Sequence, residues 1–354
     1  MLDADIRLRL ERISLDVALS IAPGQVVALL GPNGAGKSTV LNALAGLLRL
    51  AGGHVTVDGV VLEQPDRRIR VRPERRPVAL MFQDYLLFPH MSALENVAFG
   101  LRARGIDKAR ARERASAALD QVGLAEVVSA RPRAMSGGQQ QRVAMARALV
   151  TEPRLLLLDE PLAALDVSTK TDVRRQLRSV LRASNAANIL VTHDLLDAVA
   201  LADTMLIIEG GSVVQSGTPA EVTAQPRSRY VADLVGVNLL HGTARGNVLE
   251  MDGGAVVHTR ADESGLVLAA INPAKVAVSR ERPAERDQPD RTANCWRGTI
   301  AAVDLLGDRV RVHVNGQLPI TAEVPPSAVG ELRLDDAGEL WASVDPGDVM
   351  VYPK

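Results

Sequence analysis

The chain has 354 residues, a formal net charge of −1 and only 2% aromatic residues. That length suits one large domain or two to three smaller ones with ample core. The near-zero charge gives no global field favouring nucleic acid, and so few aromatics exclude a base-stacking platform for single strands. Cys295 is the single cysteine, which rules out an internal disulfide framework and fits a reducing compartment. The N-terminal segment Met1-Leu2-Asp3-Ala4-Asp5-Ile6-Arg7 alternates charged and apolar residues, unlike a signal peptide. No apolar stretch approaches the roughly 20 residues that span a bilayer, so any membrane role is expected to be peripheral, through a partner.

In chain order, Ile6, Leu8 and Leu10 alternate with Arg7, Arg9 and Glu11, and Ile13, Leu15, Val17, Leu19 and Ile21 alternate with polar or small residues. These are two half-buried strands. The apolar run Val26–Leu30 follows, and then Gly31-Pro32-Asn33-Gly34-Ala35-Gly36-Lys37-Ser38-Thr39. This stretch fits G-x-x-x-x-G-K-[ST] at Gly31, Gly36, Lys37 and Ser38. Gly31, Gly34 and Gly36 let the backbone turn tightly and bring its N–H groups against a triphosphate. Val40, Leu41, Leu44, Leu47 and Leu48 recur at helical spacing after the loop, so the positive end of a helix dipole faces the same anion. A strand–loop–helix context favours phosphate binding over a glycine-rich turn that binds nothing. All nine residues are candidate nucleotide contacts. Lys37 can reach the β- and γ-phosphates, and the Ser38 hydroxyl can ligate Mg²⁺.

Further strand-like runs lie at Pro77–Phe82, Leu155–Leu158, Ile189–Val191 and Met205–Ile208, with helical patterns at Lys108–Val122, Gly137–Val150 and Thr169–Arg182. Strands alternating with helices predict a mainly parallel sheet. The basic clusters Arg67–Arg76 and Arg102–Arg114 are interspersed with acids or apolar residues and read as solvated faces. Leu155-Leu156-Leu157-Leu158-Asp159-Glu160 is an apolar strand ending in two acids. It delivers Asp159 where it can hold Mg²⁺ through water. Glu160, one residue on, can polarise an attacking water and accept its proton late. The first domain is expected to span 1–235. Beyond it, Val310, Val312 and Val314 alternate with Arg311 and His313, Asn315-Gly316 is a hairpin signal, and Asp345-Pro346-Gly347-Asp348 is a turn. Glu281–Arg291, charged and proline-containing, reads as a linker. The tail, 236–354, is predicted to be all-β, in two lobes split near that linker.

Met135-Ser136-Gly137-Gly138-Gln139 resembles the Leu-Ser-Gly-Gly-Gln signature of ATP-binding-cassette (ABC) ATPases, departing from it only at Met135. Two glycines again open a helix, a second anion-binding N-terminus. The resemblance implies a dimer in which Ser136, Gly137, Gly138 and Gln139 cap the nucleotide held by the other subunit. Gln83, in Met81-Phe82-Gln83-Asp84, matches the family's Q-loop, which touches Mg²⁺ and water and links to a membrane subunit. His193, in Val191-Thr192-His193-Asp194, matches the switch histidine that donates a hydrogen bond to the γ-phosphate. Ala164-Leu165-Asp166 matches the D-loop, which crosses the dimer interface. The implied fold is an α/β P-loop NTPase, the ABC nucleotide-binding domain, with ATP and Mg²⁺ as ligands. The implied catalytic set is Glu160, His193 and Gln83. Asp166 joins the nucleotide contacts, and Ser38, Gln83 and Asp159 are the metal residues. One departure concerns the base. The family usually stacks adenine on an aromatic residue before the phosphate loop, but no aromatic precedes Phe82 here. Aliphatics such as Ile13 or Leu15 are left to contact it, and weak ATP/GTP discrimination is expected.

Asp84–Met91 and Leu94–Gly100 are similar to the importer branch of the family, where this segment receives a short helix of the transmembrane subunit. A permease is therefore expected to dock near Gln83–Phe99. An internally packed helical subdomain is the alternative, and both readings can hold. Gly236–Gly242 and Val267–Val278 look like the accessory β domain of sugar, polyamine, sulfate, iron and molybdate importer ATPases, with Asn272-Pro273 where Arg-Pro is commoner. Thr292–Ile300 and the segment from Glu331 to Asp348 resemble the start and end of a small molybdate-binding β module, an OB-like, TOBE/Mop-type domain at about 292–354. The likeness is nearest to molybdate importer ATPases of an actinobacterial type. It implies an ATPase that powers an importer by dimer closure and reopening, peripheral at the cytoplasmic face of the plasma membrane. Its implied partners are a second copy, the permease and, indirectly, an external substrate-binding protein, with no nucleic acid. Sulfate, iron, polyamine or sugar import is the alternative, and a soluble non-transport ABC ATPase the reading from another class. The tail reads as a brace for the dimer ahead of an oxyanion sensor.

Overall fold

In the computed structural model, residues 1–10, 13–163, 167–283, 294–332 and 338–354 are described, without the side chains of 167–169. They fall into two units, Met1–Glu221 and Val222–Lys354.

The first unit is built on one sheet. Its elements are β1 (Leu2–Arg9), β2 (Ser14–Ile21), β3 (Val26–Leu30), α1 (Lys37–Ala45), β4 (Gly52–Val57), β5 (Val60–Gln64), β6 (Ile69–Arg70), β7 (Val78–Met81), α2 (Ala93–Ala103), α3 (Lys108–Gln121), α4 (Gly137–Leu149), β8 (Leu155–Asp159), α5 (Val167–Ala183), β9 (Ala187–Val191), α6 (Leu195–Leu201), β10 (Thr204–Glu209) and β11 (Ser212–Gly217). The strand order is β6-β5-β4-β1-β2-β11-β10-β3-β9-β8-β7. The predicted parallel sheet is the half from β10 to β7. The other half is an antiparallel meander of β1, β2, β4, β5 and β6. Its β4–β6 carry too few alternating apolar residues to be read from sequence. The four leucines before Asp159 show why the parallel strands are apolar throughout. Leu156 and Leu158 pack with α2–α5 on one face, and Leu155 and Leu157 with α1 and β1 on the other.

The second unit holds α7 (Arg229–Val235), β12 (Asn238–Met251), β13 (Val256–Ile271), β14 (Ala277–Ser279), β15 (Cys295–Leu306), β16 (Arg309–Gly316), β17 (Ile320–Val324), β18 (Glu339–Ser343) and β19 (Val349–Pro353). They form a three-stranded sheet, β12-β13-β19, and a five-stranded sheet, β14-β18-β15-β16-β17. The two predicted lobes are not separate along the chain. The last strand, β19, pairs back on β13, and β14, from before the linker, pairs on β18. Both sheets share one apolar core, from Leu240 and Val257 to Val312 and Leu340. The predicted linker, Glu281–Arg291, lies mostly outside the described residues. Tyr352 Oη donates to the Pro226 carbonyl at 2.6 Å, so the segment just before α7 is tied to the β unit rather than to the cassette that the 235/236 boundary assigns it to.

The hairpin signal at Asn315-Gly316 falls at the end of β16, where the chain turns into β17, with Val314 opposite Ile320. The preceding turn, between β15 and β16, is at Gly307 and Asp308, with Leu306 opposite Arg309. Gly316 also faces Gly298 across the β15–β16 ladder, where a Cβ would stand 2.6 Å from the Arg297 carbonyl oxygen. Close backbone approach, not turn geometry, requires glycine there.

Candidate active site

Strands β3, β9, β8 and β7 are consecutive neighbours and parallel. The phosphate loop, His193, Asp159-Glu160 and Gln83 therefore leave the same, carboxyl, edge of the sheet, where α/β folds collect their ligand contacts.

Gly31 sits so close to β10 that a Cβ there would stand 2.1 Å from the Ile208 carbonyl oxygen. Gly34 and Gly36 adopt φ of 80° and 103°, a region L-residues avoid. Pro32, Ala35 and Gly36 shape the turn. The Ala35 N–H donates to the Pro32 carbonyl at 3.2 Å, and the Val40 N–H to the Gly36 carbonyl at 2.9 Å. Asn33 and Ser38 are exposed, and Thr39 is half-buried. Lys37 is only 8% exposed. Its Nζ donates to the carbonyls of Gly31 at 2.7 Å and Pro32 at 3.0 Å. Burial pulls its pKa down, against the pull of Glu160 and Asp159 upward. A buried, partly desolvated ammonium aimed at the loop interacts strongly with phosphate charge.

Burial pushes the Asp159 carboxyl up, with Glu160 adding to the shift and a Ser38 hydrogen bond and Lys37 opposing it. Ser38 and Asp159 thus form an adjacent pair of hard oxygen donors beside the phosphate loop. Magnesium is usually held by one or two such ligands plus substrate phosphates and water, so this pair fits it. Among the described residues no group of three or more His, Cys, Asp or Glu is placed to hold a metal by itself.

Glu160 occupies the left-handed region at φ 46°, a strained conformation of the kind that clusters at functional sites. Its N–H donates to the Val191 carbonyl at 3.0 Å, which joins the ends of β8 and β9. Its Oε2 accepts from Gln83 Nε2 at 3.5 Å and lies 3.3 Å from His193 Nδ1. Three residues that are 33 to 110 positions apart in sequence therefore meet on one carboxylate. His193 itself is 62% exposed.

Ser136–Gln139 open α4 as a capping box. Ser136 Oγ accepts from the Gln139 N–H at 3.3 Å, and Gln139 Oε1 accepts from the Ser136 N–H at 2.9 Å. Each side chain satisfies the other's backbone and fixes the helix start. Gly137 and Gly138 form its first turn. Asp166 lies outside the described residues. After Gln83, Tyr85 and Leu86 have φ of 59° and 42°. Arg147, in the last turn of α4, donates to their carbonyls at 2.6 and 2.8 Å. Buried Asn96 ties Phe88, Met91 and Ser92, and the rings of Phe88 and Phe99 pack at a tilt, 4.6 Å between centroids. Leu86 and Phe99 remain exposed. The segment is both internally packed and apolar at its surface.

A family profile described as ABC transporter matches residues 15–163, and one described as TOBE domain matches residues 291–351. The chain is 41% identical over 352 residues to a molybdenum import ATP-binding protein ModC of Mycobacterium tuberculosis, covering 96% of this chain and 94% of that protein. The chain belongs to the ABC transporter ATP-binding family. A spermidine/putrescine import ATP-binding protein PotA of Frankia alni is 37% identical, over 96% of this chain and 75% of its own length. A solved dimeric ATP-binding cassette, MJ0796, in a post-hydrolysis state with ADP and phosphate, is 29% identical with a TM-score of 0.52. It covers 62% of this chain and 99% of that one. The solved cbiO1 of Clostridium perfringens, part of the ABC transporter complex cbiONQ, is 28% identical with a TM-score of 0.55, over 63% of this chain and 90% of that one. This ABC chain is an ATP-binding ATPase with a cassette followed by a TOBE-type β domain.

Sequence reasoning missed the support of the ABC cassette's phosphate-loop helix. Arg76, read there as part of a solvated basic face, is 1% exposed. It donates to the Ala43 and Leu44 carbonyls at the end of α1 and to Val71, and pairs with buried Glu63. Glu63 in turn accepts from the Leu50 N–H at 3.0 Å. The correction is physical. A guanidinium can replace water around three carbonyls and a carboxylate, and nothing local in the sequence distinguishes it from Arg75. Arg102 and Arg112, by contrast, pair with Glu95 at the surface, as a solvated face does.

Proposed function

We propose that this ATPase powers a molybdate importer. The observation that carries the cargo is the similarity to a molybdenum import subunit along both units, cassette and tail together. Deleting the chain's gene in its host should impair growth only where molybdate is scarce. The intact chain should restore growth, and Glu160→Gln should not. Restoration of sulfate, iron, polyamine or sugar uptake instead, with no molybdate effect, would reassign the cargo.

In this reading two copies close on two nucleotides, with Ser136–Gln139 of one copy facing the nucleotide held by the other. Lys37 and the loop N–H groups take the phosphates, Ser38, Asp159 and Gln83 hold Mg²⁺, Glu160 accepts the proton of the attacking water, and His193 donates toward the γ-phosphate. The metal supplies charge neutralisation of the phosphates when bound. Asp166 serves the interface between copies. Among the described residues no helix is long and apolar enough to cross a membrane. This agrees with a peripheral place at the cytoplasmic face, the permease seated on Leu86, Phe99 and their surroundings. The tail braces the dimer.

Two tests follow from the loop. Lys37→Ala should weaken ATP binding about 30-fold or more, the loss of a charge-assisted contact to phosphate. Titration with a fluorescent ATP analogue checks this, and unchanged affinity would remove Lys37 from the phosphates. ATP and GTP should also have KM values within about tenfold of each other, since an aliphatic surface discriminates bases weakly. Leu15 is buried, which leaves half-buried Ile13 as the apolar side chain beside Gly36 available for the base. Competition between the two nucleotides in a phosphate-release assay reads the ratio.

A further inference from the structure

Lys170 and Arg174 stand one turn apart on α5, and Asp194 and Asp197 bracket the first turn of α6. Lys170 Nζ lies 2.5 Å from Asp194 and 3.3 Å from Asp197. Arg174 donates through Nε to Asp197 at 2.8 Å and reaches it again through Nη2 at 2.6 Å. The four charges cancel, and Asp197, at their centre, is 3% exposed. The lattice is continuous with the loop that carries His193. Thr192 Oγ1 accepts from the Asp194 N–H at 3.1 Å and donates to Asp197 at 3.5 Å. Asp194 Oδ1 accepts from the Leu196 N–H at 2.8 Å and caps α6. The residues on both sides of His193 are thereby fixed, while among the described residues the His193 side chain is held by its approach to Glu160.

Helix packing by itself does not call for this arrangement. Val173, Leu177 and Leu181 of α5 and Leu201 of α6 already share an apolar core. Burying Asp197 among three half-buried charges has a desolvation cost that apolar residues would avoid, and these charges are placed at the one end of α6 that carries the loop. We propose that Lys170 and Arg174 are positioning residues, which act through Asp194, Asp197 and Thr192 to hold the His193 imidazole against Glu160. The inference rests on the reading of Glu160 and His193 given above. Since α5 starts at Val167, directly after the segment resembling the D-loop, a shift of α5 reaches His193 through these ion pairs.

The test is steady-state ATP hydrolysis by the full chain, with affinity for a fluorescent ATP analogue and thermal melting measured alongside. Arg174→Gln should lower kcat by about 10- to 100-fold, as expected for a misplaced catalytic group, with KM and analogue affinity within about twofold of wild type. Arg174→Lys should recover most of the loss. In a His193→Ala background, Arg174→Gln should cause no further fall, because the group it positions is gone. Thr192→Val, which keeps the shape and the three ion pairs, should lower kcat about three- to tenfold with little change in melting temperature. It decides the matter if Arg174→Gln does not fold. An equal fold-loss from Arg174→Gln with and without His193, or wild-type kcat in Thr192→Val, overturns the positioning role and leaves the site reading standing. Wild-type turnover in His193→Ala overturns both.

Discussion

Replacing Glu160 by Gln is expected to lower ATP turnover by about 10²- to 10⁴-fold, the usual contribution of a positioned general base, while the protein still pairs in the presence of ATP and magnesium. The geometry motivates both halves of this expectation. The Glu160 side chain is held by its strained backbone, by Gln83 at 3.5 Å and by His193 at 3.3 Å. An amide of the same shape keeps the acceptor oxygen for those contacts but cannot take a proton from water. The proposed nucleotide contacts from Lys37 and the phosphate loop are untouched, so binding and the closure proposed to follow it should persist, and slow hydrolysis should prolong the closed state. Phosphate release under single-turnover conditions reads the chemistry, and light scattering of purified protein with ATP reads the pairing. Near-normal release would remove Glu160 as the base. Failure to pair at any protein concentration would remove the two-copy reading, and the importer proposal with it.

Arg76→Ala is expected to destabilise the first unit by about 3–5 kcal/mol, the cost of stranding a buried charge partner. For a unit of this size each kcal/mol moves Tm by roughly 2–4 °C, so a fall of about 10 °C is expected in the first unfolding transition. The loss has three parts. Glu63 is left buried without its guanidinium, the Ala43 and Leu44 carbonyls at the end of α1 lose their donors, and the space against Gly46 empties. The double replacement Arg76→Met with Glu63→Gln should recover much of the stability. It restores volume, removes the stranded charge and leaves an acceptor for the Leu50 N–H. Calorimetric melting of wild type and the two variants checks this. A single replacement within about 1 kcal/mol of wild type would mean that Arg76 is solvated after all.

The two variants divide the molecule by how far its features could be read. Glu160 was legible because its meaning is local. A buried strand is a run of apolar residues, and the acids at its end leave at the carboxyl edge of the sheet whatever the rest of the chain does. The same holds for the phosphate loop after β3, for Gln83 after β7 and for His193 after β9. Arg76 was not legible, because its partners come from α1 and β5 and nothing within its own cluster separates a buried guanidinium from its solvated neighbours. Lys170 and Arg174 were hidden for the same reason. Their acids lie some two dozen residues away on another helix.

The tail shows the limit in another form. Its alternation identified strands and Asn315-Gly316 the turn from β16 into β17, but not that Gly316 is also required by the backbone of β15 opposite it. The pairing of β19 with β13 and of β14 with β18 carries no local signature at all. The amino-acid sequence by itself determined on which strand ends the candidate phosphate, metal and water residues stand, because glycine placement, helix starts and strand period act over a few residues. Only the tertiary structure decided that Gln83 and His193 converge on Glu160, which charges are buried to hold the loops, and how the tail's strands interleave. Those outcomes depend on contacts between distant segments, whose free energy appears only once the chain has closed on itself.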